Sequence, residues 1–157
     1  MKVRSVTLNN RRNEFTVVTR SGATYVFPYV ETDPCPDSDD RIEEVFVDKE
    51  LGSEAFTYIL ESGLEGSVHI DHVLEYNEDP KYLAELLIYK LTLEAQDGIE
   101  SSGLSMRQIA KRLRTSVPQL YRLLDPANTR KSMSQLVALL HVLNCEVDLV
   151  VKKKAAA

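Results

Sequence analysis

The sequence predicts an α+β chain: a small antiparallel sheet with a helix in its N-terminal part, then a C-terminal all-α bundle that ends in a strand. Three observations predict it. β-branched and aromatic runs interrupted by turn residues fill the first 30 positions, apolar residues at helical spacing follow position 79, and three serine–glutamine pairs mark helix starts between 105 and 135. With 157 residues, 43% of them hydrophobic, the chain can bury one medium core or two small ones. The expected domains are 1–84, a small α+β domain, and 85–154, a helical domain, with the boundary inside a long helix.

Val3 to Leu8 and Glu14 to Arg20 are β-rich runs around the polar turn NNRRN, and Ser21-Gly22 reverses the chain into ATYVFPYV. Gly22 supplies the positive φ that such a reversal needs. Glu31 to Asp40, with two prolines and five acids, cannot contribute to a core and is expected as an exposed loop. Glu44 to Val47 suits a fourth strand. Asp48 to Leu64 predicts a helix, with Phe56, Ile59 and Leu60 on one face and Gly63 as its C-terminal cap. Ser67 to Asp71 suits another short strand. Asp79 as N-cap and Pro80 at the first helical position then open a helix whose stripe of Leu83, Leu86, Leu87 and Leu91 continues to about Gln96, before DGIESSG interrupts the pattern.

The formal charge of −5 hides a division. Residues 101–157 hold ten basic and three acidic side chains, and residues 1–100 hold nine basic and twenty-one acidic ones, leaving +7 and −12. A basic C-terminal part points to a polyanion, and an acidic N-terminal part to a different partner.

The positive charge gathers around two short helices. Ser105 with Gln108, Ser116 with Gln119 and Ser132 with Gln135 each match the capping box, so helices are expected over Met106 to Leu113, over Val117 to Leu124 and after Ser132. Pro126 disfavours helical geometry at Asp125 and ends the second. So few residues separate the first two that they must cross sharply, as in a helix-turn-helix. Ala110 is small enough for the close approach, and Ile109, Leu113, Leu120 and Leu123 are spaced to fill the wedge. Val117, Pro118, Tyr121 and Arg122 are left outward, at the end that enters a major groove in such motifs. Leu136, Leu139, Leu140 and Val142 read as core.

The stretch SMRQIAKRLRTSVPQLYRLL, Ser105 to Leu124, resembles the helix-turn-helix of the Cro-type repressor family of bacteria and phages, which implies a lambda-repressor-like bundle. DPANTRKSMSQLVALLHVL, Asp125 to Leu143, is similar to the loop and next helix of its antitoxin-like branch. By position, the resemblance implies that Arg114, Thr115, Ser116, Val117, Pro118, Gln119, Tyr121 and Arg122 lie where that family meets double-stranded DNA. Arg130, Lys131 and Ser132 match the loop and helix start that hold a phosphate there, where free N–H groups attract anions in any case. Many members carry glycine in the turn, and this chain has Arg114, at a cost of roughly 1 kcal/mol if φ is positive there. The N-terminal half resembles a small bacterial domain of unknown function found near toxin–antitoxin genes.

The implied function is a sequence-specific DNA-binding transcriptional regulator, a repressor occupying a palindromic operator as a homodimer. CEVDLVV, from Cys145, alternates apolar and acidic residues and reads as a strand that needs a partner, within the chain or in a second subunit. The alternative is an antitoxin or protein-binding module whose acidic N-terminal domain captures a basic partner, a toxin. No catalytic motif is recognisable, so no enzyme and no cofactor are expected. His69, Asp71 and His72 lack a third ligand at metal spacing, and the acids of DPCPDSDD lack the order of a calcium loop, so neither predicts a metal. Cys35 and Cys145 show no pairing pattern, no apolar run reaches membrane-spanning length, and the start lacks a secretion signal's apolar core, so a cytoplasmic protein away from membranes is expected.

Overall fold

A computed structural model describes residues 1–155. The chain divides into two compact units, Met1–Leu83 and a second beginning at Ala84.

The first unit contains two three-stranded antiparallel sheets. β1 (Val3–Asn9), β2 (Glu14–Thr19) and β3 (Thr24–Pro28) form one, and β4 (Ile42–Asp48), β5 (Ala55–Leu60) and β6 (Glu65–His69) the other. A 3-10 turn, Tyr29–Glu31, follows β3, and α1 (Ile70–Tyr76) follows β6. The two sheets repeat one plan. In each, the register shifts after the first residue of the first strand, between Val3 and Ser5 and between Ile42 and Glu44. Asn9 and Asp48 close the first turn identically, each accepting two backbone N–H groups with Oδ1. A residue in the left-handed region precedes the middle strand in both, Asn13 (φ 52°) and Ser53 (φ 62°). Gly22 (φ 89°) and Gly63 (φ 87°) then make equivalent hairpin turns.

Residues of the second repeat therefore follow those of the first at a constant offset through the middle and last strands. Phe15 and Phe56, fully buried at equivalent places, meet with ring centroids 4.9 Å apart. Equivalent residues of the two repeats thus meet each other, as a pseudo-two-fold relation would bring about. Tyr29 and Tyr58 complete the aromatic cluster, with centroids 4.7 and 5.6 Å from that of Phe15. α1 packs against β3 and β6, and Asn77 Nδ2 donates to the Val26 carbonyl on the outer edge of β3.

The second unit is built on α2 (Pro80–Ser102), α3 (Met106–Leu113), α4 (Val117–Leu124) and α5 (Met133–Val142). Its core joins Ala95, Ile109, Ala110, Leu120, Leu123, Leu136, Leu139, Leu140 and Leu143.

The fold class expected from sequence is corrected: the chain is α+β with two three-stranded antiparallel sheets followed by helices, and not one small N-terminal sheet with a C-terminal all-α bundle closed by a strand. The helix expected over 48–64 is a turn, β5 and the next hairpin. Ala55, Phe56, Thr57, Tyr58 and Leu60 are all buried, and a strand covered on both faces lacks the alternation that would distinguish it. The strand expected to reach Asp71 ends at His69, where α1 begins. α2 runs past Gln96 to Ser102, and within this extension Gly98 lies close against a neighbour: a Cβ there would lie 3.2 Å from Leu143 Cδ1. The strand expected from Cys145 is absent, and residues 145–155 carry no regular structure.

Candidate nucleic-acid interface

α3 and α4 are positioned by their ends. Ser105 caps α3 by accepting the Gln108 N–H at 3.2 Å, and Gln108 Oε1 returns the bond from the Ser105 N–H at 2.8 Å. Ser116 and Ser132 cap α4 and α5 in the same way, through Gln119 N–H and Gln135 N–H, without the returned bond. α3 ends on Arg114, at φ 58° and ψ 44°, with the Thr115 N–H bonded to Ala110 O and the Arg114 N–H to Lys111 O. These are the two bonds of a Schellman motif, in which glycine is the least strained residue. Arginine there costs about 1 kcal/mol and carries a charge into the turn.

The C-terminal end of α4 is held by side chains. Asn128 Nδ2 donates to Arg122 O at 3.3 Å, Gln96 Nε2 to Leu124 O at 2.8 Å, and Lys131 Nζ to Leu123 O and Asp125 O, both at 2.7 Å. Lys131 gives a further bond, 2.9 Å long, to Thr92 Oγ1 on α2. Leu123 O and Leu124 O, carbonyls of the last turn, thus receive side-chain donors from outside α4, and Arg122 O and Asp125 O, which also accept the Asp125 and Asn128 backbone N–H groups, receive a second donor each. Burial lowers the Lys131 pKa from the usual lysine value, with Asp125 acting the other way.

Between the α3–α4 turn, α4 and the start of α5 lies an open groove of about 900 Å³. It brings together seven of the expected contact residues: Arg114, Thr115, Gln119, Arg122, Arg130, Lys131 and Ser132. No acidic side chain lines it, and among the described residues no ion pair engages Arg114, Arg122 or Arg130. Leu113, Asn128, Ser134, Gln135 and Ala138 also line the groove and were not among the contact residues expected from sequence. Ser134 and Gln135 were legible as first-turn residues of α5, whereas Asn128 enters only through the fold of its loop.

The remaining four lie elsewhere. Ser116 and Pro118 are exposed at the start of α4, and Val117 is half-buried against the core rather than outward. Tyr121 is 59% exposed on a different side of α4, in a shallow groove with Gln96, Ile99, Glu100, Met106, Leu124 and Asp125. Lys131, expected at a phosphate, has its three donor hydrogens committed within the unit. In the first unit, His69 caps α1 by accepting the Asp71 N–H on Nδ1, with Glu54 at 3.9 Å, and His72 is exposed.

A scan of the chain against models of known protein families finds no match, and a comparison with curated proteins finds none either. Among the described residues no helix is long and apolar enough to cross a membrane.

Proposed function

We propose that the chain is a sequence-specific DNA-binding transcriptional regulator, a repressor that occupies a palindromic operator as a dimer. One observation carries the reading. Three guanidiniums without carboxylate partners, Arg114, Arg122 and Arg130, line one groove with the capped start of α5, beside the exposed face of α4. Unpaired arginines with free first-turn N–H groups suit phosphate oxygens, and Arg122 and Gln119 on α4 suit base edges in a major groove. The resemblance of Ser105 to Leu124 to Cro-type repressors supports the same reading. Two copies on half-sites about 34 Å apart would present six such guanidiniums. Exposed Val147, Leu149, Val150 and Val151 support association of copies.

Selection of bound fragments from random duplex DNA tests the proposal: enrichment of a palindrome is expected, and no enrichment rejects it. Four phosphate contacts, Arg114 and Arg130 from each copy, predict an affinity loss of about 10² between 50 and 200 mM salt. Arg122→Ala should weaken the selected duplex by about 1–3 kcal/mol, and the double variant with Gln119→Ala should abolish specific binding, both measurable by fluorescence anisotropy. The acidic N-terminal part, at −12, favours a second reading in which it captures a basic protein such as a toxin. In that case the Arg122 and Gln119 variants keep the partner, which co-purification of a neighbouring gene product would show.

A further inference from the structure

The sequence places Lys131 among the phosphate contacts, and the geometry gives it other work. Its ammonium has three hydrogens to donate, and three acceptors take them: Thr92 Oγ1 at 2.9 Å, Leu123 O at 2.7 Å and Asp125 O at 2.7 Å. Thr92 is fully buried on α2 and in turn donates to Ile88 O at 2.8 Å, so the tie ends on a rigid element. Leu123 lies in the core, and its carbonyl belongs to the last turn of α4, where the helix supplies no N–H donors of its own and favours a cation. Arg130, the preceding residue, is exposed; its backbone N–H is held by Asn128 Oδ1 while no ion pair engages its guanidinium among the described residues. Adjacent cations in one loop therefore differ in kind.

We propose that Lys131 is a positioning residue for DNA binding: its ammonium bolts the C-terminal end of α4 to α2, fixing the direction in which Gln119 and Arg122 point into the groove. The assignment rests on the DNA-binding reading for its consequence, and on distances alone for the bolt. To reach a phosphate the ammonium would have to abandon bonds to two carbonyls, leaving them without their charged donor. Arg130, in contrast, can meet a phosphate with no such loss.

Contact and positioning predict different salt responses. A side chain that meets a phosphate contributes to counterion release, so its removal flattens the dependence of log affinity on log salt by about one per bound protomer; a positioning residue leaves that slope alone. In the full chain, Lys131→Met keeps the apolar stem and removes the ammonium. It should weaken binding of the duplex selected by the wild type roughly tenfold or more with the slope unchanged. Arg130→Met should flatten the slope. Amide hydrogen exchange without DNA reads the bolt directly: Leu120 to Leu124 should exchange faster in Lys131→Met while the Ile109 and Leu139 amides keep their rates. Thr92→Val, which removes one acceptor and no charge, should shift both measurements in the same direction by less, and it decides the matter if Lys131→Met does not fold. A slope flattened by Lys131→Met as by Arg130→Met, or unchanged exchange across α4, overturns the assignment. If the wild type enriches no duplex, the DNA reading falls, and the exchange rates alone decide whether the bolt exists.

Discussion

The two sheets of the first unit follow one backbone plan with different side chains. Bulge and hairpin residues sit at equivalent places, although the first turn of the second repeat is two residues longer, and Phe15–Thr16 is matched by Phe56–Thr57, Ser21–Gly22 by Ser62–Gly63. The cross-strand pairs differ. In the first repeat Val17 faces Tyr25; in the second Tyr58 faces Gly66, so the larger residue has moved from the last strand to the middle one. A Cβ on Gly66 would overlap the Tyr58 ring and hydroxyl. The ring needs that space, because its hydroxyl donates to Pro34 O at 2.6 Å, in the loop between the repeats. Tyr25 turns its hydroxyl to Asp79 Oδ2 at 2.8 Å. Repetition of a backbone thus requires the special conformations to persist, while packing asks only that each facing pair fill the same volume.

If the pseudo-symmetry extends to energetics, Phe15→Ala and Phe56→Ala should each cost about 3–5 kcal/mol in denaturant unfolding, the largest effects expected. A cost for one less than half that for the other would show that the aromatic cluster is not shared evenly. Gly66→Ala should cost about 1–3 kcal/mol by overpacking against Tyr58, and Gly66→Ala combined with Tyr58→Val, which restores the small partner of the first repeat, should cost less than the two changes added together. Next comes the other side of the exchange.

Asp79 accepts the Tyr82 N–H at 2.9 Å at the start of α2, as well as the Tyr25 hydroxyl, and these two bonds, the backbone one first, hold its pKa below the usual aspartate value. Because the folded state binds the proton more weakly than the unfolded chain, Asp79 stabilises the fold above the ordinary aspartate pKa, and this contribution disappears as pH falls through the lowered one. Asp79→Ala should cost about 1 kcal/mol near neutrality and should reduce the loss of stability in acid, measured by thermal melts across pH. Smallest is the turn before the middle strand. Ser53→Gly should raise stability by up to about 1 kcal/mol because serine tolerates positive φ poorly, while Asn13→Gly should be near neutral because asparagine tolerates it well.

Legibility followed the range of the interaction. Ser105, Ser116 and Ser132 act on N–H groups three residues away, so α3, α4 and α5 could be delimited without knowledge of their neighbours. β5 could not, because Phe56, Ile59 and Leu60 satisfy helical spacing and only β4, β6 and the facing sheet show that the segment is a strand. The repeat itself is not legible in the sequence, since equivalent places such as Asn9 and Asp48, or Val17 and Tyr58, hold different residues. At the candidate interface, the arginines were visible as a cluster of charge. That Tyr121 lies apart from them depends on how α4 packs.

Taken alone, the order of residues determined where charge accumulates, where the three serine-capped helices begin and where Gly22 turns the chain, because each is settled within a few bonds along the backbone. Tertiary structure decided the pairing of the two sheets, the continuation of α2 beneath Leu143 and the separate roles of Arg130 and Lys131. Those outcomes depend on which acceptors and apolar surfaces arrive from distant parts of the chain, and Thr92 stands 39 positions away from the ammonium that it receives.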